Sequence, residues 1–438
     1  MKILILTTYY PPDTAISAVR PYMFAKYLAK KGHEVTVVRS GEINKQCGNF
    51  FAPLTGVRVL SYLGENSMAD KYEKGDIADA PKTGESRVGF LPHFLRRPIA
   101  KIYHMLTYRR DRERRLAWRL ACYEKQKILL DSLKNETFDI VFSTAGEFEN
   151  MMAGSYAAQL FSCPLIQDFR DTMAVKSVQT KKEYAYMKSL QDRAVEEADA
   201  CTVVSEGALC DICEGLSPKE TMVLYNGYEP AEMSIGAEKT KQLTFCYTGQ
   251  FYEGKQDFSP ILRAVSHLVK EGKINADNIR IHYAGKDFAY LLQTAKPYGL
   301  ADILENHGYV DRQEAVRIQA QSDIFTVLSW NTPTSKGILT GKFYEGIRAE
   351  KPILAVVAGN LADSELYRLN QKYNYGFCYE TAREPFAQLC DYIEQSYNEK
   401  MSSDAIAYAP NPELKTDFRY DVLTEKLEAL CERLTRLQ

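Results

Sequence analysis

Short apolar runs alternate with segments of helical period along most of this chain. Lys2 to Thr8 reads as a buried strand, and a loop with Pro11, Pro12 and Asp13 leads into a helix whose Met23, Phe24, Tyr27 and Leu28 recur at helical spacing. Gly32 ends that helix and Glu34 to Val38 is the next strand, so the chain opens with a βαβ unit, which implies a parallel sheet. The alternation resumes with strand Asp139 to Ser143, helix Asn150 to Phe161, strand Pro164 to Asp168, helix Glu183 to Ala198, strand Ala200 to Ser205, and Met222 to Gly227. Tyr228 to Lys241 is polar, holds Pro230 and Gly236, lacks periodicity and marks a domain boundary. Beyond it the pattern restarts: Leu243 to Gly249, helix Pro260 to Lys270, strand Ile279 to Gly285, helix Phe288 to Lys296, then Ile303 to Val310. Helix Gln313 to Gln321, strand Ser322 to Ser329, a helix start between Gly337 and Glu345, and strand Ile353 to Val357 follow. An amphipathic helix, Tyr420 to Leu437, closes the chain after the loop Pro410 to Pro412.

This pattern predicts an α/β protein of two Rossmann-like, doubly wound domains facing across a cleft that would hold the ligand. The expected division is residues 1–230, residues 231–415, and a terminal helix, 416–438, that can pack back on the first domain.

Length and composition agree with two or three soluble domains: 438 residues, 45% hydrophobic and 26% charged. A net charge of -2 predicts no general attraction to nucleic acid. The first apolar stretch is too short for a secretory signal, and no window approaches a membrane span, so a cytoplasmic location is expected. The ten cysteines are spread out and expected to be reduced thiols. Cys210 and Cys213 lack the partners of a metal site and read as small apolar residues on a helix face. Gly64 to Arg87 is polar and aperiodic, hence a loop. Between Arg87 and Lys127 there are twelve Lys or Arg against three Asp or Glu, interleaved with Phe90, Phe94, Tyr103 and Trp118. That segment suits either an anionic membrane surface, with the protein peripheral on it, or ordinary helices with a solvated basic face.

The segment Gly337 to Val357 carries the clearest chemistry. A glycine-rich turn opens a helix there, and unpaired amides at a helix start suit a diphosphate. Lys342 and Glu345 lie three apart on it, and Glu345 is placed to accept hydrogen bonds from ribose hydroxyls; the plainer reading is a surface ion pair.

In order and spacing, several fragments resemble the retaining glycosyltransferases of family four, of GT-B fold, especially bacterial members that build capsule, O-antigen or exopolysaccharide. They are Tyr9 to Asp13 with Arg20, Gly32 to Val38, Asp168 to Asp171, Ala198-Asp199 leading to Ser205, Tyr225 to Tyr228, Tyr247 to Gln250 with Lys255, Gly308 to Val310, and Gly341 to Glu345. The resemblance implies transfer of a sugar from a nucleoside diphosphate donor to a glycan or polyprenyl-linked acceptor, without metal or other cofactor. It places Lys255 and the Gly249-Gln250 turn on the donor diphosphate, Glu345 on the ribose, and Tyr309 and Val310 beside the nucleobase. Lys255 and Lys342, with the helix start at Gly341, would stabilise the leaving diphosphate, making Lys255, Lys342 and Glu345 the catalytic candidates. Asp13, Arg20 and Asp171 fall on the acceptor side of the cleft. Arg20 has two readings, a phosphate contact or a domain cap. Asp168 and Asp171 have two as well, a metal site or a loop held by an internal ion pair. His307 is expected to be a packed residue.

The chain departs from the family where a glutamate would contact the donor sugar, since Gly337 stands there. Gln250 replaces a common arginine, Ala15-Ile16-Ser17 replaces a Gly-Gly pair, and a histidine some members place in the amino-terminal half has no counterpart. A nucleotide-sugar epimerase of the same fold and a non-catalytic sugar-nucleotide-binding subunit are the alternatives. A nicotinamide oxidoreductase is disfavoured because neither first strand is followed by Gly-x-Gly-x-x-Gly.

Overall fold

The computed structural model describes residues 1–13, 16–40, 51–63, 93–145, 147–176, 179–230, 240–252 and 254–437, with the backbone alone over 93–112 and at Ala145. The first sheet contains β1 (Lys2–Thr7), β2 (Glu34–Arg39), β3 (Val57–Ser61), β4 (Ile140–Ala145), β5 (Leu165–Phe169), β6 (Ala200–Val203) and β7 (Thr221–Val223). All pairs are parallel, in the order β3-β2-β1-β4-β5-β6-β7. The second contains β8 (Leu243–Thr248), β9 (Ile279–Ala284), β10 (Leu304–Gly308), β11 (Ile324–Trp330), β12 (Ile353–Ala358) and β13 (Gly376–Glu380), in the order β10-β9-β8-β11-β12-β13. Both orders reverse direction beside the first strand of their half, between β1 and β4 and between β8 and β11. A crevice opens at the carboxyl ends of the strands at such a switch point.

Central parallel strands are covered on both faces, which is why they read as unbroken apolar runs: every residue of β8 is buried, and all of β1 after Lys2. The first domain carries α1 (Ile16–Lys30), α2 (His93–Ser132), α3 (Phe148–Phe161), α4 (Lys181–Glu197) and α5 (Glu206–Ile212). The second carries α6 (Ser259–Lys270), α7 (Phe288–Ala295), α8 (Arg312–Gln321), α9 (Gly341–Ala349), α10 (Glu365–Tyr373), α11 (Phe386–Ser403) and α12 (Glu413–Asp417).

The last helix, α13 (Tyr420–Arg436), belongs by packing to the first domain. Its Tyr420, Leu423, Leu427 and Leu430 share one buried cluster with Phe24 and Leu28 of α1 and with Ile3 and Ile5 of β1. The returning chain runs beside the departing one: the Tyr228 amide donates to Phe418 O at 2.9 Å and the Tyr420 amide to Tyr228 O at 3.1 Å. Gly227 permits the crossing, because a Cβ there would sit 2.5 Å from Phe418 O.

The basic segment lies largely in α2, a single helix of 40 residues. The polar loop expected at 64–87 lies outside the described residues. Five elements are absent from the sequence reading, namely β3, α10, β13, α11 and α12, four of which follow Val357. No helix among the described residues is long and apolar enough to cross a membrane.

Candidate functional site

The second domain contributes the turn after β8, the end of β11 and the start of α9. The turn after β8 is held from below by two buried tyrosines: Tyr283 Oη donates to Gly249 O at 3.0 Å and Tyr247 Oη to Gln250 O at 2.9 Å. Gln256 locks its far side, with Nε2 on Leu328 O at 2.8 Å and Oε1 accepting from the Tyr252 amide at 2.9 Å. Lys255 therefore leaves a rigid base, and its exposed ammonium lies 4.9 Å from the centre of the Trp330 ring at the end of β11. Gln250 is exposed on the same turn.

Lys342 lies against that turn, since a Cβ on Gly249 would come within 2.9 Å of its Cε. Its ammonium meets both oxygens of Glu345 at 2.8 Å, so the ion pair suggested by the spacing is formed. Glu345 also accepts from Gln319 Nε2 at 2.7 Å, and that amide donates to Thr248 Oγ1 at 2.7 Å. Arg348 fixes the amide's orientation by donating to Gln319 Oε1. Burial acts to raise the Glu345 carboxyl, but the Lys342 ammonium beside it and the guanidinium of Arg348 outweigh burial and hold it below its ordinary value. The side chain of Thr340, which precedes α9, makes no capping bond to the helix start at Gly341. Tyr309, 68% exposed, presents its ring beneath the Lys286 ammonium at 4.8 Å, while Val310 packs on the core.

On the facing domain, Asp13 is buried and Asp171 is exposed. Arg20 is 1% exposed, and all five of its N–H donors are used within the protein. They reach Asp168 Oδ2 at 2.8 Å and Oδ1 at 2.7 Å, the carbonyls of Leu224 and Tyr225 at 2.8 Å, and Asn226 Oδ1 at 3.3 Å. Arg20 thus ties the ends of β5 and β7 together inside the domain. Asp168 also accepts from Thr144 Oγ1 and Thr202 Oγ1, each at 2.6 Å; burial acts to raise its carboxyl, and Arg20 with these hydroxyls lowers it further than burial raises it. Arg170 is turned elsewhere, onto Ser17 O at 2.6 Å, so the internal ion pair at this strand end is made by Arg20.

Sequence reasoning missed a second charged group at the first domain's switch point. Glu147 and Glu149 follow β4 where α3 begins, and Arg119 of the basic helix α2 turns onto Glu149, with Nη1 3.0 Å from both oxygens. Burial pushes the Glu149 carboxyl up to about 6 in spite of that guanidinium. Burial, with Glu147 beside it, raises the Tyr9 phenol to about 12. The available signal was two carboxylates directly after a strand at the switch point.

The domains meet where Gly337 and Gly207 cross. Gly337 has φ +64°, and a Cβ there would lie 2.5 Å from Ser205 Oγ and 2.7 Å from Gly207 Cα. The absence of a glutamate at 337 is therefore explained by this crossing, which leaves no room for a side chain. Beside it, Glu365 of α10 accepts from the amides of Glu206 and Gly207 at 2.9 and 3.0 Å and from Tyr225 Oη at 3.0 Å. Gly341 faces Ile16 of α1, whose Cδ1 would be 2.8 Å from an added Cβ. Cys210, exposed, and Cys213, half-buried, lie at the end of α5.

No protein-family model matches the chain, and no curated protein sequence matches it. Solved structures do. A sucrose-phosphate synthase from Thermosynechococcus elongatus is similar with a TM-score of 0.61 at 10% identity, over 100% of both chains. The lipopolysaccharide outer core galactosyltransferase WaaB gives 0.57 at 12%, over 99% of this chain and 100% of that one. The α,α-trehalose 6-phosphate synthase from Burkholderia multivorans gives 0.57 at 11%, over 100% and 99%. The fold is GT-B. The two switch points described above are those of its two halves. The expected doubly wound architecture is thus the one observed.

Proposed function

We propose that the protein is a glycosyltransferase that moves a sugar from a nucleoside diphosphate donor to a glycan or polyprenyl-linked acceptor in surface polysaccharide assembly, with retention at the anomeric carbon. The observation that carries this reading is the convergence of Lys342, Glu345 and Lys255 on the rigid turn after β8, at the switch point of the second sheet. As the bond between sugar and diphosphate breaks, negative charge grows on the leaving group. Two lysines and the helix start at Gly341 supply stabilisation there without a metal. Donor binding would draw Lys342 partly off Glu345, freeing that carboxylate for the ribose while Gln319 holds it in place. Tyr309 offers an exposed ring to the nucleobase. The similar structures, among them a galactosyltransferase of lipopolysaccharide outer core, support the reaction class.

The deciding measurement is calorimetric titration of nucleoside diphosphates and their sugars into wild type, Glu345→Ala and Lys255→Ala. Lys255→Ala should weaken the free nucleoside diphosphate about tenfold, as loss of one charge-assisted contact does. Glu345→Ala should weaken diphosphate and sugar donor alike and lower turnover. Unchanged affinities in both variants would sink the donor assignment. We further propose that α2 rests on anionic membrane; sedimentation with phosphatidylglycerol vesicles checks this, and equal pelleting with neutral vesicles would refute it.

A further inference from the structure

Strands β9 and β10 pair in parallel with Glu305 directly opposite His282, so both side chains leave the same face of the sheet. His307 lies where the register of β10 shifts, between Asn306 and Gly308, and its ring meets His282. His282 Nδ1 lies 3.0 Å from His307 Nε2, Glu305 Oε2 is 3.4 Å from His282 Nδ1, and Glu305 Oε1 is 3.5 Å from His307 Nε2. Ligands at the corners of a tetrahedral zinc site, each about 2.0–2.1 Å from the ion, are about 3.3–3.4 Å apart. Glu305 faces the two rings through different oxygens; with one donor atom from each residue, the three lie within 4.8 Å of one another, so small side-chain rotations bring them to that edge. We propose that His282, Glu305 and His307 bind one divalent transition-metal ion of the zinc class.

The donor set suits such an ion. Two imidazoles and a carboxylate favour zinc, cobalt or nickel over magnesium or calcium, which take oxygen ligands. Access is open on one side: the two histidines are mostly buried, at 14% and 18% exposure, while Glu305 is 50% exposed and leaves a fourth position to water. Other charges that act on the two histidines are Arg280, Asp323 and Glu314, the last paired with Arg317. Arg280 is turned to the carbonyl of Ile279 at 2.7 Å, and Asp323 is taken up by Thr244 and Lys400. None of the three ligands belongs to the proposed donor contacts. An ion here would staple the edge strand β10 to β9, two residues before Tyr309.

The test uses tag-free, full-length protein stripped with chelator and titrated with zinc and with cobalt. The expected result is one equivalent bound by wild type. His307→Gln and Glu305→Gln should each weaken it at least about tenfold, since even the residues that orient metal ligands are worth 10–100-fold. Cys210→Ser should bind like wild type, and the cobalt complex should lack a thiolate charge-transfer band. Zinc should raise the melting temperature of wild type and not of Glu305→Gln. Glu305 is half exposed, so this variant should melt like metal-free wild type and keeps the test valid if His307→Gln does not fold. Failure to bind an equivalent, unchanged affinity in Glu305→Gln, or a cobalt spectrum of thiolate type would overturn the site and leave a hydrogen bond between two histidines.

Discussion

Glu149, buried at the start of α3, is a carboxylate whose ionised form the fold disfavours, its pKa standing near 6 against an ordinary 4.5. The native state therefore holds this proton more firmly than the unfolded chain does. The stabilisation is complete below about 4.5 and is lost as pH rises through about 6. At 1.36 kcal/mol per pKa unit it amounts to about 2 kcal/mol. Wild type should thus lose about that much stability between pH 4.5 and 7 relative to Glu149→Gln, as read by denaturant unfolding of both proteins at each pH. Parallel pH dependences would show that burial does not disfavour this charge. At Gly337 the backbone decides. A left-handed conformation costs a residue with a Cβ about 1–2 kcal/mol, and here the Cβ would also strike Gly207. Gly337→Ala should lower stability by more than 1 kcal/mol, whereas Gly359→Ala, equally tight but within one domain, should leave donor affinity intact. Weaker donor binding in Gly337→Ala alone would place the contact in domain closure, and equal effects would remove that role. Neither residue was legible as such. The spacing of Lys342 and Glu345 showed a pair and the segment pointed to a donor turn, but the reason for Gly337 sits on another domain, far upstream.

Most of the secondary structure was readable from runs buried on both faces or from helices with one clean stripe. The edge strands β3 and β13 are short and partly exposed, so their patterns are faint: Val57–Ser61 contains no fully buried residue. Helix α11 did carry a signal, Leu389, Ile393 and Tyr397 four apart, all buried. The final helix was recognisable as amphipathic, but its amphipathy does not say which domain it serves. Packing does: Tyr420, Leu423, Leu427, Leu430, Cys431 and Leu434 are buried against the first domain. At roughly 1.5–3 kcal/mol per large apolar side chain, the helix contributes on the order of 10 kcal/mol, as much as a whole domain's net stability. A chain ending at Phe418 should therefore lose its first domain while the second persists. Limited proteolysis should leave a resistant fragment beginning near Gln242. A truncated protein with the first domain still protected would contradict this packing.

Across the whole molecule, the two halves meet at the paired backbone of Tyr228 and Arg419, at the crossing of Gly337 with Gly207, and at a buried carboxylate, Glu365, 3% exposed, reaching from α10 to the start of α5. If the paired backbone serves as a hinge, the Glu365 contact, which can be broken and remade, would bias the balance between closed and open clefts. If the donor binds only the closed form, its apparent affinity scales with the closed fraction. Glu365→Ala removes three hydrogen bonds that span the cleft; a shift of about 1.4 kcal/mol toward the open form then costs tenfold in donor affinity. The same variant should show a larger radius of gyration by small-angle scattering and should recover the wild-type value at saturating nucleoside diphosphate. Glu345→Ala, acting inside one domain, should lose affinity with no change in radius. A Glu365→Ala protein that binds as tightly as wild type and scatters identically would show that Glu365 does not hold the halves together, and the Gly337 crossing would then have to carry closure.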